Sequence, residues 1–376
     1  MKTHSSVAHQ RAVRDYYTLV TTLLVLVAFG AIMVVSASSI QAVKDYGFAW
    51  GYAIRHFAAI AIGLLCAYVL LKRSLKQIRL LSPVFIVITL VLLIAVLIIG
   101  DTVAGQRNWI SLPLGFSLQP SEFAKLALVL WAASAIAANA HREQAEQKAI
   151  LSTTILGSII IGLVLLERDM GTPIILGSIL LAIYFAHGVS LRRIFLFVVV
   201  AASAVVLYSF SGSDYRVNRF QAWLAPEDHP ISLGWQFLRG QLALAQGGLM
   251  GRGLGQSHEK WGNLPAPHTD FILAIIGEEL GLIGTMIVLG ALLFLTLTIL
   301  TIAIRSNDMF SQMVAYGIAM WFGIQTFVNV GAIVQFLPIT GVPLPFISYG
   351  GSAMIVNLMA AGVVVAIAKQ NIRETE

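Results

Sequence analysis

Long blocks of uninterrupted apolar residues dominate the chain, rather than apolar residues recurring three and four apart. A charge-free apolar run of about 18 residues or more crosses the hydrocarbon core of a bilayer as a helix. Ten predominantly apolar spans can be drawn, at about 17–36, 53–71, 80–100, 122–140, 150–166, 171–189, 193–210, 270–304, 311–336 and 350–368. The first run, Tyr16 to Val43, carries no charge and is longer than a signal-peptide core, so it reads as a retained span. The segment at 270–304 is long for one crossing, which predicts tilt or an extension beyond the membrane. Between the last two spans the break falls at Leu337-Pro338 through Gly350-Gly351, where proline removes donors and glycine frees the backbone. The expected architecture is an all-α membrane protein, one polytopic domain over residues 1–376. It is a bundle of ten transmembrane helices with a long extracytoplasmic loop, 211–269, between spans seven and eight.

Composition supports this. Of 376 residues, 58% are hydrophobic and only 11% charged, against about 25% charged in an ordinary soluble domain. Cys66 is the single cysteine, which excludes an internal disulfide and a cysteine-built metal cluster. The net charge of +6 does not point to nucleic acid, because the basic residues sit in short connections between spans. Fourteen of the 24 lie on one side, in connections that include Lys2, Arg11, Arg14, Lys72, Arg305 and Arg373. That side is expected to be cytoplasmic, with both termini there and the long loop outside, in a bacterial inner membrane.

The other side holds the candidate chemistry. The long loop runs through Tyr215-Arg216-Val217-Asn218-Arg219 and Gly251-Arg252-Gly253-Leu254-Gly255, and ends at His268-Thr269-Asp270. Glu122 and Lys125, three residues apart, share a helix face and can pair. By helical geometry Glu278 lies about 80° from Asp270 and Glu279 about 180°, so Glu278 shares a cavity with Asp270 more readily. Charges at membrane depth normally face a bundle interior or a water-filled cavity. An anion-binding site for transport or for catalysis fits equally well, and a structural ion pair accounts for Glu122 and Lys125 on their own.

Motifs narrow the choice. Arg107-Asn108-Trp109-Ile110 with Gln119-Pro120-Ser121-Glu122-Phe123-Ala124-Lys125 resembles the SEDS family (shape, elongation, division and sporulation), which includes RodA and FtsW. Gly251 to Gln256, His268-Thr269-Asp270-Phe271-Ile272, Gly277-Glu278-Glu279-Leu280-Gly281, Asn329-Val330-Gly331 and Leu337 to Ser352 are similar to the same family. The stretch from Tyr215 to Trp223 and the Glu227-Asp228 loop resemble the FtsW branch more closely. One departure is Glu167-Arg168-Asp169-Met170-Gly171-Thr172, where many members carry Gln-Pro-Asp-Leu-Gly-Thr.

The resemblance implies a glycosyltransferase that polymerises lipid II into peptidoglycan strands for division or elongation, using a polyprenyl pyrophosphate leaving group. It implies that Asp270 is the general base, a residue type also favoured as the N-cap of the following helix. Arg107, Lys125, Arg216, Arg219 and Lys260 are the expected diphosphate-binding cations, with Glu122 orienting Lys125 and Glu278 nearby. No cofactor is demanded, although a divalent cation (Mg or Mn) suits a diphosphate. The implied partners are lipid II, membrane lipids, a class B penicillin-binding transpeptidase and other divisome or elongasome proteins, with no nucleic acid. The rival readings are a lipid II flippase and a non-catalytic scaffold.

Overall fold

In hydrocarbon every backbone N–H and C=O must be satisfied within its own segment, so apolar runs fold as helices. A computed structural model describes residues 2–103, 105–139, 143–210, 221–228 and 233–376. Its helices are α1 (Lys2–Tyr46), α2 (Gly51–Lys72), α3 (Leu75–Ile99), α4 (Pro120–Asn139), α5 (Glu143–Leu166) and α6 (Gly171–Ala186). They continue with α7 (Leu191–Phe210), α8 (Leu233–Gly247), α9 (Ile272–Arg305), α10 (Met309–Ile333) and α11 (Gly351–Arg373). Each expected span coincides with one helix. Among the described residues eight of them, α1–α5 and α9–α11, have the length and apolar composition to cross a membrane, and α6 is a shorter apolar helix. The chain is an all-α membrane protein.

Helix α11 is the centre of the bundle: 83% of its most apolar window is buried, against 17% for α2, which packs beside it at the periphery. Close approach needs small residues, as a Cβ on Gly362 would lie 2.8 Å from the Ala67 backbone. Between α3 and α4 the chain forms a small antiparallel sheet, β1 (Asp101–Val103), β2 (Gln106–Ser111) and β3 (Ser117–Leu118), in that order. The 211–269 loop is not featureless, since it carries α8. The packing face of α8 includes Gly234, Phe237, Gly240 and Gly247, and a Cβ on Gly240 would meet the Phe271 ring at 2.7 Å.

The unusual length of α9 has a specific cause. Its 34 residues would rise ~51 Å, far beyond ~30 Å of hydrocarbon. The helix breaks at Gly281, whose φ of 70° and ψ of −171° lie outside helical space. The chain after α8 fills the gap and satisfies the backbone groups that the break frees. Arg252 N donates to Glu278 O at 3.0 Å and Gly253 N to Glu279 O at 2.9 Å. Leu282 N donates to Gly248 O at 2.9 Å and Ile283 N to Leu249 O at 3.2 Å. Only glycine allows this clasp. A Cβ on Gly247 would lie 1.9 Å from Gly277 O, and one on Gly281 would lie 2.4 Å from Gly251 N.

Gly281→Ala should therefore destabilise the protein by at least ~1–3 kcal/mol from its positive φ alone. Gly290→Ala, where a Cβ meets nothing within 4 Å, should have little effect. Thermal inactivation midpoints of both variants in detergent decide the matter, and equal midpoints would remove the clasp as a structural requirement.

Candidate active site

Contacts between connecting segments gather the sheet, the α1–α2 and α5–α6 turns, the 248–271 loop and the proline-rich 334–350 segment at one end of the bundle. Arg107 N donates to Glu167 O, and Tyr349 N donates to His268 O. At the opposite end Arg305 pairs with Asp15 and Asn371 bonds Ser306.

Asp270 lies at this gathered end, half-buried, one residue outside the N-cap of α9. That cap position falls on Phe271, one residue after Asp270. The Thr269 hydroxyl donates to Asp270 Oδ1 at 2.8 Å, and Asn329 Nδ2 donates to the Asp270 carbonyl at 2.7 Å. The same amide group donates to Val342 O at 2.8 Å, so α10 ties Asp270 to the proline-rich segment.

Beside it His268 is buried between aromatic rings, with centroids 4.3 Å from Tyr52 and 5.3 Å from Tyr349. Burial pulls the His268 imidazole down to about 4, with Asp45 opposing more weakly, so the ring is neutral at pH 7. Tyr52 donates to Asp45 at 2.6 Å, while Arg55 stacks over Tyr46 and bonds its hydroxyl. Lys44 reaches the loop, because a Cβ on Gly262 would meet its ammonium at 2.7 Å.

The two glutamates after Gly277 point into the clasp loop rather than toward a shared cavity with Asp270. Glu278 accepts from the Ser257 hydroxyl at 2.6 Å and from His258 N at 2.7 Å, and Arg252 lies 3.6 Å away. Glu279 accepts from Ser36 of α1 at 2.8 Å and from Lys260 at 3.0 Å. Both carboxylates and the Lys260 side chain are buried, so Lys260 is committed to holding the loop.

Glu122 and Lys125 pair as their spacing predicts, at 2.7 Å and enclosed by protein. Lys125 also donates to Gln325 Oε1 at 3.1 Å and sits 5.0 Å from the centroid of the Trp321 ring. The Gln325 amide in turn donates to Pro343 O at 2.7 Å. Above the pair a polar cavity of ≈ 50 Å³ is lined by Gln106, Asn108, Glu122, Asp169, Thr172 and Thr340, among others. Buried Asn108 Oδ1 and Thr340 Oγ1 have no hydrogen-bond partner among the described residues, and a polar cavity of this size has room for a water. Arg107 is exposed and donates to the Gly100 and Ile98 carbonyls at 2.9 and 2.6 Å, closing the C-terminus of α3. Arg216 and Arg219 lie outside the described residues. Among the described residues no group of three or more His, Cys, Asp or Glu could hold a metal ion.

A family model described as "Cell cycle protein", covering FtsW, RodA and SpoVE, matches residues 16–373. The chain belongs to this FtsW/RodA/SpoVE family. A relative in Coxiella burnetii named "Probable peptidoglycan glycosyltransferase FtsW" is 38% identical over 360 residues, spanning 94% of this chain and 96% of that protein. A protein of the same name in Trichlorobacter lovleyi is 37% identical, covering 93% of each chain. Among solved structures, a chain from "Structural coordination of polymerization and crosslinking by a peptidoglycan synthase complex" matches with TM-score 0.75 at 25% identity, over 94% of this chain and 98% of that one. The rod shape determining protein RodA of Thermus thermophilus shares the fold, with TM-score 0.70 at 24% identity, over 94% and 97% of the two chains.

The departure of this family member at Glu167-Arg168 has a structural reading. Arg168 adopts φ 65°, which proline cannot reach, so the turn is built differently from one carrying proline there. Asp169 anchors α6 through Gly171 N at 2.9 Å, Thr172 N at 3.1 Å and the Thr172 hydroxyl at 2.6 Å. Glu167 is wholly buried with both oxygens unpartnered, and burial, reinforced by Asp169, pushes its carboxyl up to about 9. Several residues of this family member lacked a sequence signal for their place here. Tyr52 and Arg55 stand at the start of a span without distinctive spacing, and Tyr349 and Asn329 belonged to motifs that suggested no role for them.

Lys125→Met should cost on the order of 3–5 kcal/mol by leaving the Glu122 carboxylate enclosed and unpaired. Folded yield in detergent should collapse, and the Glu122→Gln/Lys125→Met double variant should recover it. Glu167 binds its proton more tightly folded than unfolded, so it contributes a loss of stability as pH rises from its ordinary value near 4.5 to about 9. Glu167→Gln should flatten that part of the stability profile and raise the midpoint at pH 8. An unchanged profile would place Glu167 in water.

Proposed function

We propose that this chain is a peptidoglycan glycosyltransferase acting on lipid II at the outer face of the bacterial cytoplasmic membrane. Asp270 carries this reading. Its carboxylate stands at the end of the bundle where motif-bearing loops converge, and its main-chain carbonyl is held by Asn329.

In the proposed reaction the sugar C4 hydroxyl of one lipid II attacks the anomeric carbon of another. Asp270 takes the hydroxyl proton as the new glycosidic C–O bond forms and the bond to the polyprenyl diphosphate breaks. The departing diphosphate gains negative charge, and cations at that end stabilise it. Arg107 is the described cation with an exposed side chain among those expected, and Arg216 and Arg219 join it in the proposal. Lys125 and Lys260, already paired with Glu122 and Glu279, act as positioning residues, as does Glu278. A divalent cation (Mg or Mn) is compatible with the diphosphate, and no step of the proposed reaction runs through it.

Ten spans follow if α6 and α7 cross as well, with both termini cytoplasmic and Asp270 outside, because the opposite end carries most of the basic connections. The proposed partner is a class B penicillin-binding transpeptidase that crosslinks the new strands, within a divisome or elongasome assembly.

Purified protein reconstituted with lipid II should make glycan polymer, and Asp270→Asn should reduce the rate by about 10²–10⁴-fold with an unchanged thermal midpoint. Near-wild-type polymerisation would remove Asp270 from the chemistry. Lipid II translocation without polymer would establish a carrier instead.

A further inference from the structure

The clasp loop presents a surface that water does not favour. Leu249, Met250 and Leu254 are 65%, 79% and 57% exposed, and nearby Trp261 is 65% exposed. Contiguous exposed apolar side chains of this size mark contact with a partner or with lipid.

Two internal rulers place this surface along the bundle axis. Helix α9 ends at Arg305, which pairs with Asp15 of α1. Ile283 and Arg305 are separated by 22 positions on α9, a rise of ~33 Å, close to the ~30 Å thickness of hydrocarbon. On α1 Asp15 is separated by 21 positions from Ser36, which bonds Glu279, a rise of ~32 Å. Both rulers put the Gly281 break at the hydrocarbon boundary opposite Arg305.

The clasp hydrogen bonds fix Gly248 and Leu249 beside Leu282 and Ile283, so the loop tip shares that depth. The adjoining face of α9 is also exposed and apolar: Leu282, Ile283, Met286, Ile287, Leu293, Phe294. It recurs at three- and four-residue spacing, as a lipid-facing stripe does. The tip extends that stripe laterally through Leu249, Met250 and Leu254, with the partly exposed Arg252 among them. Its one charge, Arg252, is turned toward His258 at 2.7 Å and Glu278 at 3.6 Å.

We propose that the segment from Leu249 to Leu254 is a re-entrant wedge seated in the bilayer leaflet at the Asp270 end, its side chains against phospholipid acyl chains. Trp261 sits above it at headgroup level, where indole is favoured. Because the same segment is bonded to Glu278, Glu279 and, through Lys260, α1, the wedge fixes the height of the clasp relative to the lipid surface. This placement does not depend on the reaction assigned to Asp270.

Spin labels on the full-length protein in phospholipid vesicles test it. In a Cys66→Ser background, Met250→Cys carries the label, with Leu249→Cys as a second position should the first fail to fold. Ile287→Cys is the lipid reference and Glu227→Cys the water reference. Power saturation with oxygen, which partitions into lipid, and with a neutral nickel chelate, which stays in water, reads the surroundings. The oxygen-to-nickel ratio at 250 should shift severalfold above that at 227 and approach that at 287. A ratio matching 227 would put the loop in water. Shielding from both reagents would show that protein, such as a second copy or a partner helix, covers it. Either result overturns the wedge.

Discussion

Four backbone hydrogen bonds across the Gly281 break hold the Asp270 end of this protein together. A membrane helix that stops hydrogen bonding to itself exposes donors and acceptors that hydrocarbon cannot solvate. Here the 248–253 chain supplies them, at distances of 2.9 to 3.2 Å typical of regular structure. Three glycines permit the backbones to touch, and two carboxylates then lock the loop from the other side. Remove the break and α9 would continue as an unbroken rod, with nothing to seat the loop that leads into Asp270.

Charge is handled by the same kind of mutual satisfaction. Three cations each have a partner from another element: buried Lys260 with Glu279, buried Lys125 with Gln325 as well as its helix neighbour Glu122, and the more exposed Arg305 with Asp15. Such pairs add little net stability compared with apolar packing, yet an orphaned member is severely destabilising. They therefore act as registry pins, fixing which helices meet and at what height. Glu167 is the exception, a carboxyl held neutral because no cation among the described residues pairs with it.

Much of this was legible in the sequence. Apolar run length located every described spanning helix, because hydrocarbon thickness is a one-dimensional constraint that a linear string can express. The three-residue spacing of Glu122 and Lys125 likewise predicted their pairing, a local property of helices. The helical-wheel argument that gave Glu278 a cavity with Asp270 assumed continuous surroundings on the near face of α9. The clasp loop occupies that face and takes the carboxylate for its own backbone. Lys260 reads as a diphosphate ligand in isolation, and only its three-dimensional neighbour Glu279 shows it to be internally committed. The ring cluster of Tyr52, His268 and Tyr349 draws on three distant segments, and no spacing rule connects them.

Gln325 and Asn329 occupy successive turns of α10, and their amides reach Pro343 and Val342 on the same strand of loop. Through them one helix face couples the enclosed Lys125 ammonium to the main chain of Asp270. A single inserted residue between the two would swing the second amide by about 100° and unfasten one anchorage while keeping the other. This turn of α10 can thus tolerate changes of composition on its far side, but its length is fixed to the residue.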